Sequence, residues 1–407
     1  MPRVLDVLLN DRRVGTITNL PGDQNLFAFD EEYIADPLAP VLSQGFYDAG
    51  AKLVPQAQTA VQAHPFFSNL LPENELRQYL AEKGRVKATR DFPLLWLLGE
   101  DLPGAVRVKD AEGGLPPEDP SLKTRELAGS SRKLRFSLAG VQLKFSAIRS
   151  ADGGLTIPAN GAGGGWIVKL PSVRYRGVPE NEWSMMTFAR EVGIDVPRVS
   201  LEDLEAIDGL PNDMPRHLGS ALAVQRFDRS PNGVRVHIED FAQVFRKYPA
   251  DKYRGASNGS IATVLSGIIG SEAVAEFVRR LVFNIGIANA DMHLKNWSLI
   301  YPDGRTPRLA PAYDYVSTIQ FIEEDAIALS VAGTKQWPDV SRDLLERFAR
   351  RAAVPKGLVL GAADEMVARM NEVWPRLKGD LLLSESAVEL VEKHQARVPI
   401  FGPRTRR

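Results

Sequence analysis

Beyond Ser230 the hydrophobic pattern changes its period, and this restricts the fold more than any other feature of the sequence. In SEAVAEFVRRLVFNIGIANAD, the residues Val274, Phe277, Val278, Leu281, Val282 and Ile285 recur at three- and four-residue steps, which predicts an amphipathic helix over 272–287. DVSRDLLERFARRAAV, LGAADEMVARMNEVWPRLKGDLL and SESAVELVEKHQARV fit further helices. Before Ser230 short strand-type runs prevail. RVLDVLLNDRRVGTITN alternates apolar and polar residues around Asn10 and Asp11, as a β-hairpin does. KLRFSLAGVQLKFSAIRS, WIVKLP and ALAVQRFDR continue as strands. Two helices interrupt them: LPENELRQYLAEKG, opened by Pro72 and closed by Gly84, and ENEWSMMTFAREVGIDVPRVS, ended by Gly193 and Pro197. Runs of strands followed by runs of helices predict an α+β architecture.

A chain of 407 residues is long enough for two or three domains. Asp110 to Lys133, DAEGGLPPEDPSLKTRELAGSSRK, is rich in Gly, Pro, Ser and charge and lacks apolar periodicity, so it reads as a boundary. The expected units are a β-rich module over 1–110, a strand-dominated lobe over about 130–229 and a helical lobe over 230–407.

Charge and composition remove several function classes. With 50 basic and 51 acidic residues the net charge is −1, which argues against wrapping nucleic acid unaided. Without cysteine there is no disulfide, thiolate nucleophile or cysteine-bound zinc. No apolar run approaches the roughly 18 residues of a membrane helix, and MPRVLDVLLNDRRVG meets charges too soon for a signal peptide. A cytosolic protein with no membrane partner is expected.

The chemistry concentrates in NADMHLKNWSLIYPDGRTPRLAPAYD, residues 289–314. Asp291 and Asn296 lie five apart between the long helix and the strand-like WSLIY, and Asp314 ends a second strand-like run. A hairpin of those runs would bring Asp314 back beside Asn296. Phosphoryl transfer to a hydroxyl needs a carboxylate to accept the proton, with an amide oxygen and a second carboxylate to hold Mg2+ on the phosphates. The D-x4-N spacing alone occurs by chance; with the preceding helix and the terminal Asp it matches a kinase catalytic loop.

Such a loop demands an upstream lysine. WIVKLP supplies Lys169, which without the downstream motif would read as a lysine snorkelling at a strand edge. Glu182 is its candidate partner, or else a plain first-turn acid. GAGGG at 161–165 reads as a hairpin turn, whereas SLAGVQLKFS at 137–146 is the better phosphate cover, since Gly140 permits close backbone approach. His293 reads as a structural residue holding the catalytic loop by hydrogen bonds, and Met185 and Met186 as packing. A metal-dependent hydrolase using Asp291, His293 and Asp314 is the alternative enzyme; it leaves Lys169 and the 137–146 loop unexplained.

SLAGVQLKFS, WIVKLP, AVQRFDR, NADMHLKN and LAPAYD, in this order and spacing, resemble the HipA family of bacterial toxin serine/threonine kinases. The opening hairpin, HPFFSNLLPE and DLPGAV resemble that family's N-terminal module, so the likeness runs from about residue 3 to residue 345. It implies a two-lobed protein-kinase-like fold, with ATP and Mg2+ as cofactors. Asp291 would be the catalytic base, Asn296 and Asp314 the metal ligands and Lys169 the phosphate-binding lysine. Further nucleotide contacts are implied for Ala139, Gly140, Val141, Gln142, Lys144, His293 and Lys295. Gln225 and Phe227 fall on the adenine-side strand, where Gln225 departs from the family's usual glutamate. Ser137 occupies the autophosphorylation position whose modification silences relatives, and a phosphoserine's charge of about −1.5 to −2 would suit no loop built to approach ATP. The resemblance also implies an aminoacyl-tRNA synthetase as substrate, glutamyl-tRNA synthetase in the best-known case. A small HipB-like helix-turn-helix antitoxin is the implied partner, with operator DNA reached only through it. A non-catalytic co-repressor working with that antitoxin is the second alternative.

Overall fold

Asn10 takes the left-handed conformation, at φ 55°, that a tight hairpin requires. Around it pair β1 (Arg3–Leu9) and β2 (Arg12–Leu20), with Leu9 opposite Arg12. The structure, a computed structural model, describes residues 3–114, 144–150, 154–157, 163–172, 174–210, 219–230, 232–322 and 326–402. β3 (Gln24–Phe29), β4 (Gln56–Ala60) and β5 (Val106–Asp110) complete an antiparallel sheet in the order β4-β3-β2-β1-β5. Alternation puts Leu5, Val7, Leu9, Ile17, Phe27 and Phe29 in a core with Phe66 and Phe67 of α2 (Pro65–Ser68) and Leu94 and Leu95 of α4 (Asp91–Leu98). α1 (Glu31–Ala35) and α3 (Asn74–Lys83) flank this core.

The second sheet contains β6 (Lys144–Arg149), β7 (Leu155–Thr156), β8 (Trp166–Lys169), β9 (Val199–Asp203), β10 (Ile207–Asp208) and β11 (Ser220–Gln225). Its order is β10-β7-β6-β8-β11-β9, so the strand bearing Lys169 is central. α5 (Val178–Glu191) crosses from this sheet to the helices: Phe188 packs on Phe283 and Trp374 with ring centroids 5.2 and 5.1 Å away, and Met185 and Met186 are fully buried, as packing residues should be.

The third body contains β12 (His237–Asp240), α6 (Phe241–Val244), α7 (Asn258–Ile268), α8 (Ser271–Gly286), β13 (Ser298–Tyr301), β14 (Arg308–Leu309), α9 (Arg342–Arg351), α10 (Lys356–Leu377) and α11 (Glu385–Arg397). α8 is the expected amphipathic helix, and Val274, Phe277, Val278, Leu281, Val282 and Ile285 are all buried. The expected hairpin forms with Leu299 opposite Leu309, but its second strand stops at Leu309. Pro311 has no N–H to continue the ladder, and the chain reaches Asp314 as irregular backbone. Among the described residues no helix is long and apolar enough to cross a membrane.

The N-terminal module is joined to this body and to the segment after β11 through buried polar contacts. Glu239 accepts from Ser43 Oγ (2.5 Å), the Gln44 amide (3.0 Å) and the Tyr301 hydroxyl. Asp228 is forked by Arg226 (2.8 and 2.7 Å) and accepts from the Gly104 amide (2.8 Å), while Arg229 reaches the Gly104 and Leu102 carbonyls and Asp101.

Candidate active site

Lys169 ends the central strand β8 with a buried side chain. Its ammonium pairs with Glu182 of α5 and with Asp314, so it does not snorkel to solvent. Burial works against the charge, but the two carboxylates outweigh it and hold the lysine above its ordinary range. Burial and the nearby Asp314 push Glu182 up despite Lys169. Burial also opposes ionisation of Asp314, yet Lys144 and Lys169 overcome it and keep that carboxyl well below the usual range. Lys144, on β6, reaches Asp314 Oδ2 at 3.3 Å. The group is therefore two lysines against two carboxylates, and Glu182 is more than a first-turn acid.

Asp314 adopts a left-handed φ of 57°, which aspartate tolerates better than most residues. The residue before it, Tyr313, fixes its approach. The Tyr313 hydroxyl donates to the Lys295 carbonyl at 2.8 Å and pairs with Ser298 Oγ at 2.5 Å. Its ring lies 5.6 Å from that of Phe227, just beyond β11, and so links the strand carrying Gln225 to the segment that ends in Asp314.

The D-x4-N spacing closes a hydrogen-bonded loop. After α8 the chain turns at Ala288, φ 54°, and the Asn289 side chain receives the Asp291 amide at 3.0 Å. Asn296 Nδ2 donates back to the Asp291 carbonyl at 2.8 Å, and the His293 amide donates to the same carbonyl at 2.8 Å. Five residues are the span this closure needs. With its nitrogen so committed, Asn296 has its amide oxygen left as an acceptor. An amide oxygen and the Asp314 carboxylate are the hard oxygen donors that Mg2+ takes, so the residues present fit that ion. Asp291, by contrast, stays open: its side chain is 58% exposed and accepts from the Tyr253 hydroxyl.

Two expectations need correction. Among the described residues the His293 ring makes no hydrogen bond that holds the loop: Nε2 lies 4.0 Å from Asp291, and Nδ1 has no partner there. It packs edge-on against Tyr253 at 5.0 Å instead, and burial lowers its pKa to about 4, leaving it neutral. Lys295, expected on the nucleotide side, points to the N-terminal module, where it meets Glu73 at 2.7 Å and the Asn69 carbonyl at 3.2 Å. Asp291, His293 and Asp314 do not group as a metal centre: no cluster of three or more such ligands stands among the described residues. Ser137, Ala139, Gly140, Val141 and Gln142 lie outside the described residues. Sequence reasoning missed Tyr253, Tyr313 and Glu73; Asn289, two residues before Asp291, stood inside the motif and was open to view.

A strand-borne lysine paired with a helix glutamate and with an aspartate that a helical lobe delivers belongs to a two-lobed protein-kinase-like fold. The HipA of Shewanella oneidensis, solved with HipB and operator DNA, shares it with a TM-score of 0.73 at 21% identity, over 97% of this chain and 95% of that one. The HipA N-terminal domain profile matches residues 5–109 and the HipA-like C-terminal domain profile residues 136–374. The chain belongs to the HipA family of kinases. It is 49% identical to the protein Y4dM of Sinorhizobium fredii, over 98% of this chain and 99% of that one. It is 25% identical to the serine/threonine-protein kinase toxin HipA of Shewanella oneidensis, over 86% of each.

Proposed function

We propose that this chain is a HipA-like serine/threonine protein kinase that transfers the ATP γ-phosphoryl group to a protein hydroxyl. The observation that carries the reading is the buried Lys169–Glu182 pair in contact with Asp314. Residues 1–110 serve as the N-terminal module, 130–229 as the nucleotide lobe and 230–407 as the catalytic lobe. Lys169, kept charged by its carboxylates, binds the nucleotide phosphates, and Lys144 adds a second cation on the same side. Asn296 and Asp314 hold Mg2+, which supplies charge neutralisation on the phosphates when bound. Asp291, open to solvent, accepts the proton of the acceptor hydroxyl. Gln225 and Phe227 border the base.

Ser137 is the proposed site of self-inactivating autophosphorylation. An aminoacyl-tRNA synthetase is the proposed substrate, with inhibition of translation in the cytoplasm as the outcome. A HipB-like helix-turn-helix antitoxin is the proposed partner, supported by the Shewanella assembly with HipB and DNA. Intact-mass analysis after incubation with ATP and Mg2+ tests the reaction on the wild type, Asp291→Ala and Ser137→Ala. One phosphate gained by the wild type and lost in both variants supports transfer and the acceptor. If the wild type phosphorylates neither itself nor any member of a synthetase panel, the kinase reading fails.

A further inference from the structure

The base proposed above stands on an exposed side chain, and an exposed carboxylate samples several rotamers that a proton acceptor cannot use. One donor restrains it. The Tyr253 hydroxyl bonds Asp291 Oδ1, the oxygen that also faces His293, while Oδ2 has no partner among the described residues. Both protein contacts thus lie on one oxygen, and the other is left for an incoming hydroxyl.

Tyr253 is itself fixed on several sides. Its ring meets the His293 ring edge-on, 5.0 Å between centroids at 79°, and the Lys252 ammonium stands 5.8 Å from its centroid. The backbone next to it is tied to the catalytic loop, since the Leu294 amide donates to the Lys252 carbonyl at 3.2 Å. Glu73 of the N-terminal module closes the frame by pairing with Lys252 at 2.9 Å and Lys295 at 2.7 Å. A tyrosine that only covered the surface would need no such framing.

Resting on the kinase reading, we propose that Tyr253 is the positioning residue of the base. Its phenol holds Asp291 Oδ1 so that Oδ2 faces the acceptor hydroxyl, and the N-terminal module sustains this through Lys252 and Glu73. The hydroxyl acts through Asp291 and forms no bond to substrate.

The test measures phosphoryl transfer to Ser137 or to an acceptor protein, together with binding of a fluorescent ATP analogue, in the full chain. Four forms are compared: wild type, Tyr253→Phe, Asp291→Ala and the double variant. Tyr253→Phe keeps the ring and its packing, and a thermal melt confirms that it folds. A charge-assisted hydrogen bond of this kind predicts roughly a ten- to hundredfold fall in kcat, with the nucleotide Kd within about twofold of wild type. At the residual rate that Asp291→Ala retains, read with radiolabelled ATP under long incubation, the added Tyr253→Phe should cost nothing further, because the group it positions is gone. A merely structural role would lower both backgrounds alike, and that result overturns the inference. So does a Tyr253→Phe rate equal to the wild type, or a faster one, which would make the phenol a competitor of the acceptor. A wild type that binds the nucleotide analogue but transfers no phosphate overturns the kinase reading, and this inference with it.

Discussion

Replacing Glu73 with glutamine removes one carboxylate that serves two lysines and keeps the shape of the side chain. Glu73 is 26% exposed, Lys252 20% and Lys295 15%. Burial alone would raise this carboxyl, but Lys295 and Lys252 overcome it and bring it from 4.5 down to about 2. At about 1.36 kcal/mol per pH unit that fall is worth about 3 kcal/mol, and screening of the exposed part leaves about 1–2 kcal/mol. A depressed folded-state value means the contribution is complete above the unfolded value, near 4.5, and is lost as pH falls from there through about 2. Urea unfolding followed by tryptophan fluorescence should therefore find Glu73→Gln about 1–2 kcal/mol less stable at pH 7. By pH 3.5 that gap should have shrunk by roughly two fifths. Equal stability at pH 7, or a gap that ignores pH, would refute the clamp.

Three further results are expected. Burial raises Glu239 to about 7, and its bonds to Ser43, Tyr301 and Gln44 recover only part of the cost, so folding favours the protonated acid. The contribution of Glu239 is fully present below about 4.5 and is lost as pH rises through about 7. Melting temperatures at pH 5 and 8 should fall less steeply for Glu239→Gln than for wild type, and parallel slopes would count against this. Gly104 has φ +70°, and an added Cβ would stand 2.9 Å from the Ile238 amide. Gly104→Ala should cost about 1–3 kcal/mol in urea unfolding, and an unchanged midpoint would disprove the steric argument. Glu182→Gln takes one of two carboxylates from buried Lys169 and should lower kcat/KM for ATP roughly ten- to hundredfold; a change under about threefold would remove the pair from the mechanism.

The parts of the site that the sequence disclosed are those set by local spacing. Asp291 and Asn296 are joined by a bond that spans five positions, and Asp314 ends a run whose partner strand is close in the chain. Lys169 stood out as the charge in an apolar strand. Tyr253 lies 38 positions from Asp291, and no local pattern links the two. The same separation hid the fold where side chains gave no rhythm. β4, QAQTA, has no large apolar residue whose alternation would reveal a strand, and α7, NGSIATVLSGI, is built from weak helix formers. After Asp91 the run FPLLWLL is apolar throughout, so its period was unreadable, and the structure makes it helix α4. His293 misled for another reason: a histidine beside acids suggests hydrogen bonds, whereas this one is held by packing.

The clamp between the N-terminal module and the catalytic loop also orders events in time. Asn69 and Lys295 meet across 226 positions of chain. A ribosome therefore delivers the anchoring half of this contact long before the loop it restrains, and domains emerging first fold first. Closing so distant a contact is a late step in folding. The growing chain thus carries a complete N-terminal module beside an incomplete Asp291–Asn296 loop until synthesis passes Lys295.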